Sequence, residues 1–183
     1  MAAVARLSVN GCAEIESLLT FCKIPTERIC VEEGKEFSSN KGPSLTLSSG
    51  QTVTGVRTIA AYLSTISQCK LLGSSALEQA QVDQWLEYWQ TQLDSYINDG
   101  PLLKGELRDL NKFMCGTVYL VGCQLTLADI MLYYALHPVM MELSVQEKEQ
   151  LVNLSRWFNQ VQCYPGVRQY LPEVPFLRNL LYS

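Results

Sequence analysis

The sequence predicts an α+β chain in two parts, an N-terminal unit that mixes strands with helices and an all-helical C-terminal unit. Strand and hairpin signals stop before residue 70. Long helical periodicity then takes over and runs almost to the end. Between the two regimes Gln68–Ser75 is rich in Gly and Ser and reads as a linker, with Leu71 and Leu72 turned inward. The expected division is 1–70 and 71–183.

Each element has its own warrant. Arg6–Val9 is a strand ended by Asn10-Gly11. Ala13–Cys22 carries Ile15, Leu18, Leu19 and Cys22 at helical spacing, and Pro25 stops it. Arg28–Val31 is a second strand and the polar Glu32–Lys41 a loop. Ser44–Leu47 and Thr52–Thr54 flank Ser49-Gly50 and form a hairpin. Val56, Ile59, Ala60, Leu63 and Ile66 make one apolar helical stripe. In the second part Ala76–Asn98 is a long helix with Val82, Leu86, Trp89, Leu93 and Tyr96 on one side. Gly100-Pro101 breaks it, and Leu103, Leu107, Leu110 and Met114 mark the next. Thr126–Met141, Ser144–Gln162 and a short Val167–Leu171 complete the set. A βαβ–ββα order ahead of a helical bundle suggests a thioredoxin-like domain followed by a helical one.

Composition excludes several functions. Apolar residues make up 48% of the 183, so a sizeable core can form. Charged residues make up 17%, below the usual quarter, which leaves a neutral surface suited to protein partners. A net charge of −4 without any run of Lys or Arg argues against direct nucleic-acid contact. Seven scattered cysteines with no CxxC spacing, and one histidine, His137, support neither a metal site nor a disulfide framework. No apolar run reaches membrane-spanning length, and the first residues lack the apolar core of a signal peptide. The expectation is a reduced, cytoplasmic protein with nuclear presence also allowed, and with no cofactor.

The most informative stretch runs from Tyr119 to Ile130. Thr126 reads as a helix N-cap, and Asp129, three residues on, returns a hydrogen bond to its amide in a capping box. Leu125 and Ile130 flank the box as a hydrophobic staple. A stapled box alone could open any stable helix. In its context, Gly122-x-x-x-Thr126-x-Ala128-Asp129 closely resembles the buried helix start of glutathione-transferase C-terminal domains. Trp157…Tyr164-Pro165-Gly166-Val167-Arg168 is similar to the ending of that family. Gly42-Pro43-Ser44-Leu45 resembles the segment where transferases place a cis-proline before the third strand. Gln84-Trp85-Leu86-Glu87-Tyr88, Val145-Gln146-Glu147-Lys148-Glu149 and Ser155-Arg156-Trp157-Phe158 narrow the likeness further. They resemble the transferase-like scaffold subunits of the multi-aminoacyl-tRNA synthetase complex.

That resemblance implies an α+β, glutathione-transferase-like fold without catalysis. It implies a scaffold linking the transferase-like domains of methionyl-tRNA synthetase and glutamyl-prolyl-tRNA synthetase. The rival reading is a glutathione-dependent transferase or thiol enzyme. Such chemistry needs a hydroxyl or thiol at the end of the first strand, and Ser8 and Cys12 qualify by type. Cys12 beside a helix N-terminus is expected to have a lowered pKa. The acidic-Ser pair that transferases use to hold the substrate carboxylate falls, by resemblance, at Gly55-Val56, which offers no side-chain donor.

Other loci have plain readings. Trp85, Tyr88 and Trp89 read as an inter-domain core, His137 as core, and Glu147, Lys148 and Glu149 as a solvated helix start. A linking scaffold needs two faces that do not compete. The first is the outward side of the helix at Val56–Ser67, with Arg57, Ala61, Ser64 and Thr65. The second centres on Arg156 with Glu149, Val152 and Asn159. Arg156 lies about 200° round the helix from Leu154, at about 100° per residue, and so faces out. Its removal is therefore expected to spare stability. The resemblance also places the matching arginine on a partner-binding surface.

Overall fold

Leu7 and Leu45 face each other across neighbouring strands and are both fully buried. They sit at the centre of a four-stranded mixed sheet in the computed structural model, which describes residues 5–10, 12–25, 28–32, 42–67, 69–96 and 99–176. The strands are β1 (Ala5–Ser8), β2 (Ile29–Glu32), β3 (Ser44–Thr46) and β4 (Thr52–Thr54), in the order β2-β1-β3-β4. β1 alternates buried Ala5 and Leu7 with exposed Arg6, the pattern of a strand with one covered face. It pairs parallel with β2, which requires the crossover helix α1 (Ala13–Phe21), and antiparallel with β3. A short loop joins β3 to β4, and Gly50 takes the left-handed conformation there at φ +85°.

α2 (Val56–Ile66) follows and packs beside α1. Its buried side is Ile59, Ala60, Leu63 and Ser64. Val56 and Ile66, expected on the core stripe, are only half-buried. The buried face is thus rotated toward Ser64, whose hydroxyl is satisfied by donating to the Ala60 carbonyl at 2.8 Å. The expected loop over Glu32–Lys41 lies, from residue 33 on, outside the described residues. All peptide bonds among the described residues are trans, including that before Pro43, where the resemblance implied cis.

The chain divides into two compact units, Met1–Ser75 and Ala76–Ser183. The second contains α3 (Ala76–Tyr88), α4 (Asp94–Tyr96), α5 (Gly100–Phe113), α6 (Leu127–Glu142), α7 (Val145–Gln150) and α8 (Val152–Gln162). A wide π turn over Trp89–Leu93 joins α3 to α4, so the one long helix expected here is interrupted. The Thr91 and Ser95 hydroxyls donate back to the Glu87 and Gln92 carbonyls beside the bulge. Within this unit Trp85 stands edge-on to Phe113, and the Tyr88 hydroxyl donates to Glu106, which ties α3 to α5.

α6 is the central helix, buried on every side from Leu127 to His137. Its start is held by one carboxylate. Asp129 is fully buried, and Oδ2 accepts from the Thr126 amide at 2.9 Å and the Thr126 hydroxyl at 2.8 Å. Oδ1 accepts from the Leu120 amide at 2.8 Å and from Trp157 Nε1 at 2.9 Å. The expected capping box is present, and Leu125 and Ile130 are both buried beside it. Burial pushes the Asp129 carboxyl up from its usual range, while the four donors hold it down. The expected helix at Val167–Leu171 is instead a pair of turns. Gly166 and Gln169 have positive φ, and the Tyr134 hydroxyl takes the Val167 carbonyl at 2.8 Å. His137 is buried and bonds the Pro172 carbonyl at 2.9 Å, which straps the tail to α6.

Replacing Asp129 by Ala strands two backbone amides and one indole N–H in a dry interior. The loss of unfolding free energy should be about 3 kcal/mol or more, since each unpaired buried donor costs about 1–3 kcal/mol. Asp129→Asn should recover little of it, because its amide nitrogen meets donors. Urea midpoints of the two variants measure this, and an Asn variant as stable as the wild type would refute the account.

Candidate interaction surfaces

The first candidate face lies on α2. Arg57, Ala61 and Thr65 are four residues apart and share one side of the helix. Thr65 is exposed and Arg57 and Ala61 are half-exposed. Ser64 does not belong with them. It is 3% exposed because the buried stripe of α2 is rotated, and its side chain faces the core.

The second face is built differently from a single helical wheel. The helix expected over Ser144–Gln162 breaks at Leu151, where φ is −104° and ψ 45°. No Gly or Pro marks the break. It is stabilised from another helix, because Asn111 Oδ1 on α5 accepts from the amides of Asn153 at 2.9 Å and Leu154 at 3.1 Å. Asn111 thereby caps α8 from a distance. α7 carries its own capping box between Ser144 and Glu147, and Lys104 pairs with Glu147 at 3.2 Å.

Despite the break, Glu149, Val152, Arg156 and Asn159 come together. They line a groove of about 330 Å³ with Val145, Lys148, Gln160, Pro175 and Phe176. Val152 is 62% exposed and forms part of the rim. Arg156 is exposed as expected but is not idle. Its guanidinium donates to the carbonyls of Met114 at 2.6 Å and Thr117 at 2.7 Å, closing the C-terminal end of α5. The expectation that its removal spares stability is therefore corrected. Lys148 is also misplaced by the sequence reading. It is 7% exposed and its ammonium lies 5.8 Å from the Phe176 ring centre. Asn111 and Phe176 were missed because they come from other segments, α5 and the tail, and Lys148 because it was read only as part of a charged helix start.

The thiol-chemistry locus in the first unit is spent on structure. The Ser8 hydroxyl donates to Asn10 Oδ1 at 2.8 Å, and Asn10 Nδ2 donates to the Gly42 carbonyl. Cys12 Sγ donates to Glu14 Oε2 at 3.2 Å. Burial, then the Glu14 charge, pushes the thiol up to about 12. The lowered pKa expected from the helix start is thus reversed, because these effects outweigh two backbone hydrogen bonds. Gly55 caps α2 at φ +94°, a conformation that an acidic or Ser side chain there would strain. The described residues hold no cluster suited to a metal ion and no helix long and apolar enough to cross a membrane.

Comparison with known proteins agrees with this architecture. The chain is 47% identical over 159 residues to human eukaryotic translation elongation factor 1 epsilon-1, covering 84% of this chain and 90% of that protein. It belongs to the elongation factor 1 epsilon-1 family. A family model described as nuclear-export cofactor Arc1p matches residues 78–164. Beyond the epsilon-1 proteins, the chain is 31% identical over 166 residues to the mouse bifunctional glutamate/proline–tRNA ligase. That match covers 88% of this chain and 10% of the ligase. The glutathione-transferase-like domain of yeast elongation factor 1-gamma superimposes with a TM-score of 0.76 at 18% identity, over 95% of each chain. The chain therefore has the transferase-like fold expected from its sequence.

Two outcomes follow from this geometry. Arg156→Ala should lower stability by about 1 kcal/mol, a charged hydrogen bond's contribution discounted for exposure. Thermal or urea unfolding checks it, and Arg156→Lys should restore only part of the loss, because both bonds run from the terminal Nη2 atom and the shorter lysine must reach the same two carbonyls. At pH 8 iodoacetamide should label the exposed Cys115 and Cys163 well before Cys12. Peptide mapping that finds Cys12 modified first would contradict the raised thiol pKa.

Proposed function

We propose that this chain is a non-catalytic scaffold subunit of a synthetase assembly in the cytoplasm. It pairs its transferase-like fold with the transferase-like domains of glutamyl-prolyl-tRNA synthetase and methionyl-tRNA synthetase. The observation that carries the reading is the reuse of the same kind of domain inside another protein. Most of this chain matches a segment that makes up only 10% of the glutamate/proline–tRNA ligase. A domain found both alone and appended to a synthetase suits like-with-like pairing within an assembly. The epsilon-1 name of the 47%-identical relative places the family with translation. The engaged Ser8, the raised Cys12 and the glycine at position 55 supply support from the other side, since each weakens the rival glutathione chemistry.

Two surfaces would carry the pairing. The α2 face with Arg57, Ala61 and Thr65 meets one partner, and the groove with Glu149, Val152, Arg156 and Asn159 meets the other. Small residues on α2 let a partner helix approach closely, so Ala61→Arg should remove one partner and spare the second. Pull-downs against the transferase-like domains of both synthetases test this, alongside a chlorodinitrobenzene assay with glutathione. Turnover abolished by Cys12→Ser would favour the enzyme reading. If Ala61→Arg leaves both partners bound, the α2 face is not an interface.

A further inference from the structure

Two thiols of the first unit meet where its helices end. Cys22 is the C-cap of α1 and Ser67 the C-cap of α2, and the two helices pack beside each other. Cys69 comes just after Ser67, and its amide donates to the Ser67 hydroxyl at 3.4 Å. That hydroxyl is held in turn by donating to the Ser64 carbonyl at 2.9 Å. The Cys22 thiol, 5% exposed, lies against the Ser67 hydroxyl and the Cys69 thiol. Both thiols are free, and Cys69 is half-buried. Cys22 has a fixed backbone, because its amide bonds the Leu18 and Thr20 carbonyls. Cys69 lies outside any helix or strand, so its backbone has room to adjust to the spacing that a disulfide needs. Burial pushes the Cys22 thiol up to about 11, so little of it is thiolate at neutral pH. Cys12, the other partly covered thiol, donates to Glu14 at the opposite end of α1, a helix length away.

We propose that Cys22 and Cys69 form a modification site, a dithiol that a hydroperoxide converts to a disulfide across the ends of α1 and α2. Reaction starts at Cys69, the more exposed sulfur. With hydrogen peroxide its thiolate attacks one peroxide oxygen, the O–O bond breaks, and the departing hydroxide takes a proton to leave as water. Cys69 is then a sulfenic acid. The Cys22 sulfur attacks the sulfenic sulfur. The S–S bond forms, the S–O bond breaks, and the Cys22 proton leaves with the hydroxyl as a second water. In total the two thiols give up two electrons and two protons, and one peroxide becomes two waters. The contact between the thiols makes closure within the chain faster than capture of the sulfenic acid by an outside thiol. This chemistry needs no partner protein, and a reducing thiol reverses it.

The reduced full chain treated with hydrogen peroxide tests the proposal. Remaining thiols are blocked with N-ethylmaleimide, and the chain is digested without reductant by trypsin and a Glu-specific protease. Glu14 and Glu16 lie between Cys12 and Cys22, so this digestion separates those two cysteines. Mass spectrometry should find the Cys22 and Cys69 peptides joined, lighter than their sum by two hydrogen atoms, and dithiothreitol should part them. This link should exceed any other cysteine pair by about tenfold. In Cys22→Ala the resolving thiol is gone, so dimedone should trap sulfenic acid at Cys69 at about ten times the wild-type yield. If Cys22→Ala fails to fold by circular dichroism, the wild-type map decides alone. Cys22 and Cys69 recovered as separate blocked thiols would overturn the proposal. So would a link from Cys69 to another cysteine, or a Cys22–Cys69 link found only between two chains on a non-reducing gel. Equal dimedone capture at Cys69 in the wild type and a folded Cys22→Ala would overturn it as well, because Cys22 would then resolve nothing.

Discussion

The carboxylate of Asp129 is the constraint on which the helical unit depends. It sits where three segments converge: the loop at Leu120, the start of α6 at Thr126, and Trp157 on α8. A fully buried acid is tolerated only because four hydrogen bonds replace its hydration, three of them from groups that can only donate. Those donors fix the direction of α6 before any side-chain packing is counted. The helix can then be apolar on every side and still have a defined start. Trp157 gains a partner for its indole N–H, which a buried tryptophan requires.

A second constraint is reciprocal. Asn111 near the end of α5 caps the start of α8, while Arg156 on α8 caps the end of α5. Each helix supplies the polar group that the other's unpaired backbone needs. This exchange explains why the chain breaks at Leu151 without Gly or Pro. The break frees two amides, and an acceptor is already in place for them. Residues on both sides of the bend, Val145, Lys148, Val152 and Arg156, line one groove with Phe176.

Local signals were read well from the sequence where the structure is local. The sheet, its hairpin at Ser49-Gly50, α1, α2 and the Thr126–Asp129 box all follow from periodicity and turn chemistry within a few residues. What was not legible depends on partners far away in the chain. Trp157 lies 28 residues from Asp129, and Arg156 lies 42 from Met114. A helical wheel places Arg156 outward correctly but cannot tell that backbone carbonyls wait there. Lys148 was read as solvated from its place in a charged helix start, a local signal that says nothing of the tail packed over its stem. For Ser64, a shift of the α2 stripe by a fraction of a turn was enough to move a small polar residue from surface to core.

The first unit shows how neighbouring groups set the state of a thiol at a helix start. A helix start favours a thiolate through its amides and dipole, worth about 1 kcal/mol when exposed. Cys12 does receive such backbone contacts, from Glu14 and Ile15. Two opposing effects act at the same atom: the thiol is partly covered, and Glu14 stands 3.2 Å away as acceptor and like charge. A thiolate there would face a carboxylate with little water between, a repulsion that outweighs the dipole. The thiol therefore stays protonated at neutral pH and serves as a donor to Glu14. Ser8, the alternative hydroxyl, is turned toward Asn10, which in turn reaches the Gly42 carbonyl ahead of β3. Ser8 and Asn10 thus brace the end of β1 against the segment ahead of β3.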